Sequence, residues 1–334
     1  MNKRVTVYGA YGHTGRFVVA ELRRRGYEPV RAGRDPGRVE RAASVDDPAA
    51  LDRALAGSAA VVNCAGPFAT TAGPVIEAAL RAGIPYVDVA AEIEANADTF
   101  RRYGERAEGL VVVPAMAFYG GLADLLATAA LGDEAAADRV DVAYGLDSWH
   151  PTAGTRAAGR VSSERRDGRR VRYTNGHLEY HRDAPTRQRW EFPEPIGARD
   201  VIAEFSMADI VTVPSHLKVP EVRSYMTVAA AEDLAAPDTP PPAPGDEQTW
   251  VVDVVVHCGS QRRRALAFGR DIYAVSAPLA VEAVERILTG RTRTTGVASA
   301  GAMFDARDFL AALAPHVTTT PPVCTAPASP PPPR

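Results

Sequence analysis

The chain has 334 residues, about twice the size of a typical domain, with 46% apolar and 24% charged residues, a formal net charge of -3 and a pI near 6.2. This composition excludes a wholly disordered chain. No apolar run reaches the ~20 residues that cross a bilayer, so no membrane partner is expected, and the slight acidity gives no overall attraction to nucleic acid.

The first strand reads from about Arg4, which leaves no room for a signal or transit segment, and a cytoplasmic location is the expectation. Strands are predicted at Val5–Tyr8, Glu28–Ala32, Ala59–Cys64, Tyr86–Val89 and Leu110–Val113, with helices between them at Thr14–Arg25, Pro48–Leu55, Pro74–Ala82 and Ala95–Ala107. Strand alternating with helix predicts an α/β, doubly wound parallel sheet over residues 1–130. From Val140 to Val256 the runs alternate instead (Val140–Tyr144, Arg169–Tyr173, Ser224–Val228, Trp250–His257), which predicts a second, mostly antiparallel β domain over residues 131–276, interrupted by an exposed loop at Pro237–Gln248. Helical periodicity returns in PLAVEAVERILTG and DARDFLAAL, so residues 277–315 are expected to pack back on the first domain. The Pro- and Thr-rich stretch Thr318–Arg334 reads as part of a disordered tail over 316–334. Cys64, Cys258 and Cys324 are far apart and form no CxxC pair, so neither a disulfide framework nor a zinc site is expected.

The strongest motif is VTVYGAYGHTGRFVVAEL, in which a strand runs into Gly9, Gly12 and Gly15 and then into a helix. Gly9 permits a tight turn, Gly12 lets the backbone approach a pyrophosphate, and Gly15 permits close packing of helix on strand. Tyr11, His13 and Thr14 fall inside the same turn. This is the phosphate-binding turn of a Rossmann domain in its GxxGxxG spacing. The tip of the second strand, PVRAGRDPGR, offers Arg34, with Arg38 at the start of the following helix, to a 2′-phosphate, so NADP is favoured over NAD. Asp35 is the rival, a ribose acceptor by position, but Asp before Pro36 also suits a helix N-cap. Asp46 either touches the adenine edge or caps the helix that starts at Pro48. In VVNCAGPFATTAGP, residues Asn63 to Phe68, with Ala65, Gly66 and Pro67 at the turn, should face the nicotinamide, because open α/β sheets bind ligands at the carboxyl ends of their strands.

Taken in order, GAYGHTGR, AGRDP, VVNCAGPF, YVDVAAE and PAMAFYGGLADLLA resemble bacterial saccharopine dehydrogenase-like proteins, and the resemblance continues to YAVSAPLAVEAVERILTG. It implies a Rossmann domain, an inserted β domain, a helical return and NADP(H) as cofactor, with Gly9, Gly12, Gly15, Arg34, Ala65, Gly66 and Pro67 beside it. Activities within that family vary. True saccharopine enzymes act on an imine of an amino acid and an aldehyde, whereas a related trans-acting branch reduces enoyl groups of polyketide intermediates. No amino-acid-binding signature of the former is present here, so the substrate does not transfer with the fold.

Hydride transfer leaves the protein to orient the acceptor and supply one proton. PAMAFYGGLADLL follows the last Rossmann strand, which makes Tyr119 and Asp124 the candidate donors. Tyr119 at the domain junction and Asp124 as a cap or ion-pair partner are the purely structural alternatives. Glu92 is a candidate to hold a cationic amine on the substrate, or else a helix-start acid favoured by the dipole, and His150 a candidate cleft residue or a loop residue. Lys218 has no spacing partner. His177 and His181 would bind metal only on a helix; on a strand they lie about 13 Å apart, so no metal is expected. No nucleophile elbow is present. The expected function is an NADP-dependent oxidoreductase acting on C=N, C=O or conjugated C=C of a small metabolite, the alternatives being a non-catalytic NADP sensor or scaffold and a redox-neutral enzyme. Apolar sheet edges would admit a homodimer.

Overall fold

A computed structural model describes residues 3–107, 109–243 and 248–325. Its first sheet contains β1 (Arg4–Tyr8), β2 (Glu28–Gly33), β3 (Arg41–Ala42), β4 (Ala60–Asn63), β5 (Tyr86–Asp88) and β6 (Val111–Val113), with a short returning strand, β15 (Gly296–Val297), at its outer edge. All pairings are parallel and the order is β15-β6-β5-β4-β1-β2-β3. Parallel sheets are covered on both faces, which is why these strands are short continuous apolar runs; every residue of β4, β5 and β6 is buried. The covering helices are α1 (His13–Arg24), α2 (Pro48–Leu55), α3 (Phe68–Ala82) and α4 (Ile93–Tyr103). The order reverses between β1 and β4, so a crevice opens at their carboxyl ends.

Two departures from the sequence expectation bear on the site, and α4 also ends at Tyr103, four residues before the expected Ala107. The helix α3 starts at Phe68, six residues before Pro74, which is tolerated inside it. A distant carboxylate, Glu92, stabilises that early start by accepting from Phe68 N at 2.8 Å and Ala69 N at 3.0 Å. No helix follows β2; Asp35 to Arg38 form a turn closed by Arg38 N donating to Asp35 O at 3.1 Å.

After α5 (Ala123–Leu131) the chain builds a second sheet from β7 (Arg139–Leu146), β8 (Arg170–Thr174), β9 (His177–His181), β10 (Arg187–Glu191), β11 (Ala198–Ala203), β12 (Val222–Thr227), β13 (Thr249–Cys258) and β14 (Gln261–Arg270). Only β7 and β12 pair in parallel; the other pairings are antiparallel. HLEYH is thus a strand, β9. Between β7 and β8 lies a helix without a counterpart in the sequence reading, α6 (Ala153–Arg165), and two shorter ones, α7 (Asp209–Thr212) and α8 (Val228–Ala235), flank β12. Of the expected Pro237–Gln248 loop, residues 237–243 are irregular and 244–247 lie outside the described residues.

The tail expectation is corrected in part. Thr318–Thr325 forms a strand, β16, antiparallel to β14 at the sheet edge. The register jumps between Arg264–Val323 and Leu266–Thr320, so Pro321 and Pro322 fall at the irregularity, where their missing N–H groups break no regular ladder. Residues 326–334 lie outside the described residues.

The returning helix α9 (Ser276–Leu288) lies against α1, where Arg25 bonds Glu282 and reaches Glu285 at 3.0 Å. Beyond it follow the short α10 (Ala300–Met303) and α11 (Ala306–Ala312). One apolar core runs through both sheets, joined by Phe118, Tyr144, Trp149 and Trp250. Among the described residues no helix is long and apolar enough to cross a membrane.

Candidate active site

At the crevice between β1 and β4, Gly9 has φ +80°, and a Cβ there would sit 2.8 Å from Ala65 N. The two loops therefore touch backbone to backbone, which only glycine allows. A Cβ on Gly15 would lie 2.2 Å from Gly9 O, so this glycine serves the packing of α1 against the turn and does not face the cleft. Gly12 precedes α1 and offers no side-chain cap, leaving first-turn N–H donors for an anion. Tyr11, His13 and Thr14 on one side and Ala65, Gly66 and Pro67 on the other line a cleft of about 1500 Å³. Burial and Arg16 together hold the His13 ring below the usual histidine range against an opposing pull from Asp271.

Arg34, exposed at the end of β2, and Arg38 line the same cleft, with the Arg38 guanidinium 4.5 Å above the centre of the Tyr11 ring. Asp35, the rival, is turned into its own loop, where Oδ1 accepts from Gly37 N at 3.0 Å. Asp46 also lines this end and meets Ser44 Oγ at 3.3 Å, while the α2 cap is its neighbour Asp47, which accepts from Ala50 N at 2.9 Å. The backbone cradle and the two arginines fit a dinucleotide with a 2′-phosphate. Arg34→Ala is expected to weaken NADPH binding by about 10- to 100-fold, the cost of one lost charge-assisted contact, while NADH binding changes little in a fluorescence titration. Equal losses for both nucleotides would place the 2′-phosphate elsewhere.

Toward the second sheet the cleft floor is aromatic. Tyr119 sits at a kink within Phe118–Leu122, where its own backbone is extended (φ -87°, ψ 127°) and Gly120 has φ +96°; its ring is stacked on Trp149 with centroids 5.4 Å apart and edge-on to Tyr144 at 4.8 Å. Its hydroxyl is buried, lacks a hydrogen-bond partner among the described residues, and belongs to a side chain that lines the cleft. Burial, reinforced by Tyr273 and Asp209, pushes this phenol well above its usual value, so it stays protonated at neutral pH.

Three other candidates are placed differently from their expected roles. Asp124 is fully buried away from the cleft; Oδ1 lies 2.8 Å from His216 Nε2 and Oδ2 accepts from Gly301 N at 2.7 Å, so it joins α5 to the segment after α7 and to α10. Glu92 does line the cleft, but both carboxylate oxygens are engaged at the start of α3, and burial raises it despite those N–H donors. An amine there would have to compete with the helix end. His150 is not among the cleft-lining residues; its carbonyl accepts from Tyr273 OH at 3.2 Å, and the wall is made by Trp149 and Thr152 instead.

Sequence reasoning missed Trp149, Tyr273 and Asp209. The Tyr273 hydroxyl gathers Trp149 Nε1 at 3.0 Å, Thr152 N at 3.2 Å and Thr155 Oγ1 at 3.1 Å, and its ring packs edge-on to His13 at 5.1 Å. Asp209, fully buried behind Tyr119, accepts from Tyr144 OH at 2.6 Å and Gly120 N at 2.9 Å, and burial pushes its carboxyl up to about 6. One signal for it was present, a lone acid inside the apolar run MADIVTV. A carboxyl raised from 3.8 to about 6 contributes fully to stability only below its unfolded value, and the contribution is lost as pH rises through 6. Asp209→Asn should therefore remove a loss on the order of 3 kcal/mol between about pH 4 and pH 8 in urea unfolding. An unchanged pH slope would place the titration elsewhere.

Fold and site together define a nicotinamide-dinucleotide-binding protein. Residues 5–113 match the family model of the saccharopine dehydrogenase NADP binding domain, a stretch that holds β1 to β6 and the helices between them. The chain is 28% identical over 152 residues to the saccharopine dehydrogenase-like oxidoreductases of Bos taurus and Homo sapiens, covering 36% of this chain and 35% of each relative. It thus matches about a third of the length of these curated relatives. A short-chain dehydrogenase/reductase superfamily protein from Agrobacterium tumefaciens with bound NAD shares 28% identity over 28% of this chain and 34% of that one, with a TM-score of 0.24.

Proposed function

We propose that the protein is an NADPH-dependent reductase acting on a C=N, C=O or conjugated C=C bond of a small metabolite held between the NADP-binding domain and the second sheet. The observation that carries this reading is Tyr119, a side chain lining the cleft that begins at the phosphate-binding turn, whose buried hydroxyl has no partner among the described residues. A buried polar group left unsatisfied costs free energy, and a nitrogen or oxygen of a substrate within reach of this hydroxyl would relieve that cost. The name of the curated relatives, oxidoreductase, supports the same class of reaction.

NADPH, when bound, would supply a hydride from its nicotinamide ring. Gly9, Gly12 and the first turn of α1 would hold the dinucleotide backbone, and the Ala65–Pro67 loop, on the other side of the same cleft, would border the nicotinamide end. Trp149 and Phe118 offer apolar surface to the acceptor and exclude water from its reacting end. Tyr119 donates its phenolic proton to the nitrogen or oxygen on which negative charge develops. Asp209 fixes the turn beneath it through Gly120 N and, through Tyr144, the ring beside it.

The test is a fluorescence titration with NADPH and NADH, followed by a screen of imines, ketones and enoyl compounds for NADPH consumption. Tight NADPH binding with turnover of one acceptor class supports the reductase. Tight binding with no consumption by any class would favour a nucleotide sensor, and no binding of either nucleotide would overturn the proposal.

A further inference from the structure

The helix α6 belongs to the second sheet's stretch of chain yet lies beside α3 and α4 of the NADP-binding domain. At 13 residues it spans about 20 Å. Its first turn is tied to the phosphate-binding turn, because Tyr273 bonds Thr152 and Thr155 and packs its ring on His13. Its far end is tied to α4, where Ser162 Oγ bonds Glu94, Arg165 lies 2.7 Å from Asp98 and Arg166 lies 3.6 Å from Glu94. Between these ends Ala153, Gly154, Arg156, Gly159 and Arg160 line the cleft. The helix therefore crosses the cleft that the dinucleotide turn opens.

What holds it there is polar. Ser162 is the one buried residue in the helix, and partly exposed ion pairs are individually weak. Its charge is also unbalanced toward the cleft. Arg156 and Arg160 are four residues apart on one face; Arg156 bonds only carbonyls, those of Leu234, Ala236 and Thr239, and Arg160 has no partner among the described residues. Like charges at this spacing repel, and an anion in the cleft would relieve them. A dinucleotide brings such anions. A state favoured by the ligand's charge is populated further when the ligand binds.

We propose that α6 is a strap over bound NADP(H): its Arg156–Arg160 face takes up phosphate charge of the cofactor, and its latch on Glu94 and Asp98 sets the rate at which the cofactor leaves. This rests on the cofactor reading above and not on the identity of the acceptor. Two measurements on the full chain test it. Amide hydrogen exchange across α6 should slow about tenfold or more on saturation with NADP+. In stopped-flow displacement of NADPH by excess NADP+, Arg160→Gln and Asp98→Asn should each release NADPH about tenfold faster than wild type. Exchange in α6 that ignores NADP+, or wild-type release rates in both variants, would overturn the strap while leaving the cofactor site intact. A wild-type protein that binds no NADPH would overturn the cofactor reading, and the strap with it.

Discussion

Tyr119→Phe is expected to lower kcat by about 10²- to 10⁴-fold while the Kd for NADPH stays within about twofold, because the change removes a proton donor and no cofactor contact. The hydroxyl bonds nothing else among the described residues, so the substitution breaks no internal hydrogen bond and thermal stability should hardly move. Its ionisation lies well above neutrality, so the activity of the wild type should show no loss assignable to Tyr119 up to at least about pH 9. Stopped-flow single turnovers with any accepted substrate separate the chemical step from release. A Phe variant with the wild-type chemical rate would remove Tyr119 from the mechanism and return the donor to the substrate itself or to solvent.

His216→Ala should cost about 3–5 kcal/mol of stability, the loss associated with breaking one side of a buried ion pair. Asp124 is fully buried, and without the ring it would keep Gly301 N as a donor but lose its cationic partner. Burial favours the neutral imidazole, but the Asp124 carboxylate outweighs it and raises the His216 pKa above 6.5. The sign follows: the stabilisation is complete below the unfolded value and is lost as pH rises through the folded one. Urea unfolding at about pH 6 and pH 8.5 should therefore show the wild type losing more stability than the variant at the higher pH, as His216 gives up its proton. A variant as stable as the wild type at pH 6 would mean that the His216–Asp124 contact contributes nothing to stability.

The parallel sheet was readable in the chain because its information is local. Apolar runs bounded by glycine, and helices of period 3.6 between them, place β1, β2, β4, β5 and β6 within a residue or two of their observed limits. The glycine triplet is legible in part for the same reason, since Gly15 is demanded by a backbone approach inside one strand–turn–helix unit and Gly9 by the positive φ of that turn, although the backbone Gly9 approaches is Ala65 of the loop after β4. The errors fall where a distant partner decides. Glu92 lengthens α3 from 24 residues away, and β14 captures a Pro- and Thr-rich segment whose composition alone predicts disorder. Asp35 and Arg34 are adjacent in sequence, and only the course of the loop after β2 turns the carboxylate onto Gly37 N while Arg34 lines the cleft.

The chemistry-bearing residues divide along the same line. Tyr119 and Asp124 are five residues apart, share a motif and are both buried, yet one lines the cleft and the other clasps α10. Nothing in their spacing separates these fates, because the non-helical kink at Tyr119 and Gly120 breaks the helical facing of the two side chains, and Gly120 N is held by Asp209, 89 residues away. The helix α6 was invisible for a related reason: with Ser162 as its one buried residue it has no apolar stripe for periodicity to detect, and its place is set by contacts to α4 and Tyr273. Residue order thus sufficed for the nucleotide-binding turn and its sheet, where neighbours in the chain are neighbours in space. The floor of the cleft and the strap across it depend on side chains brought together from separate segments, and those were settled only when the two sheets packed around one core.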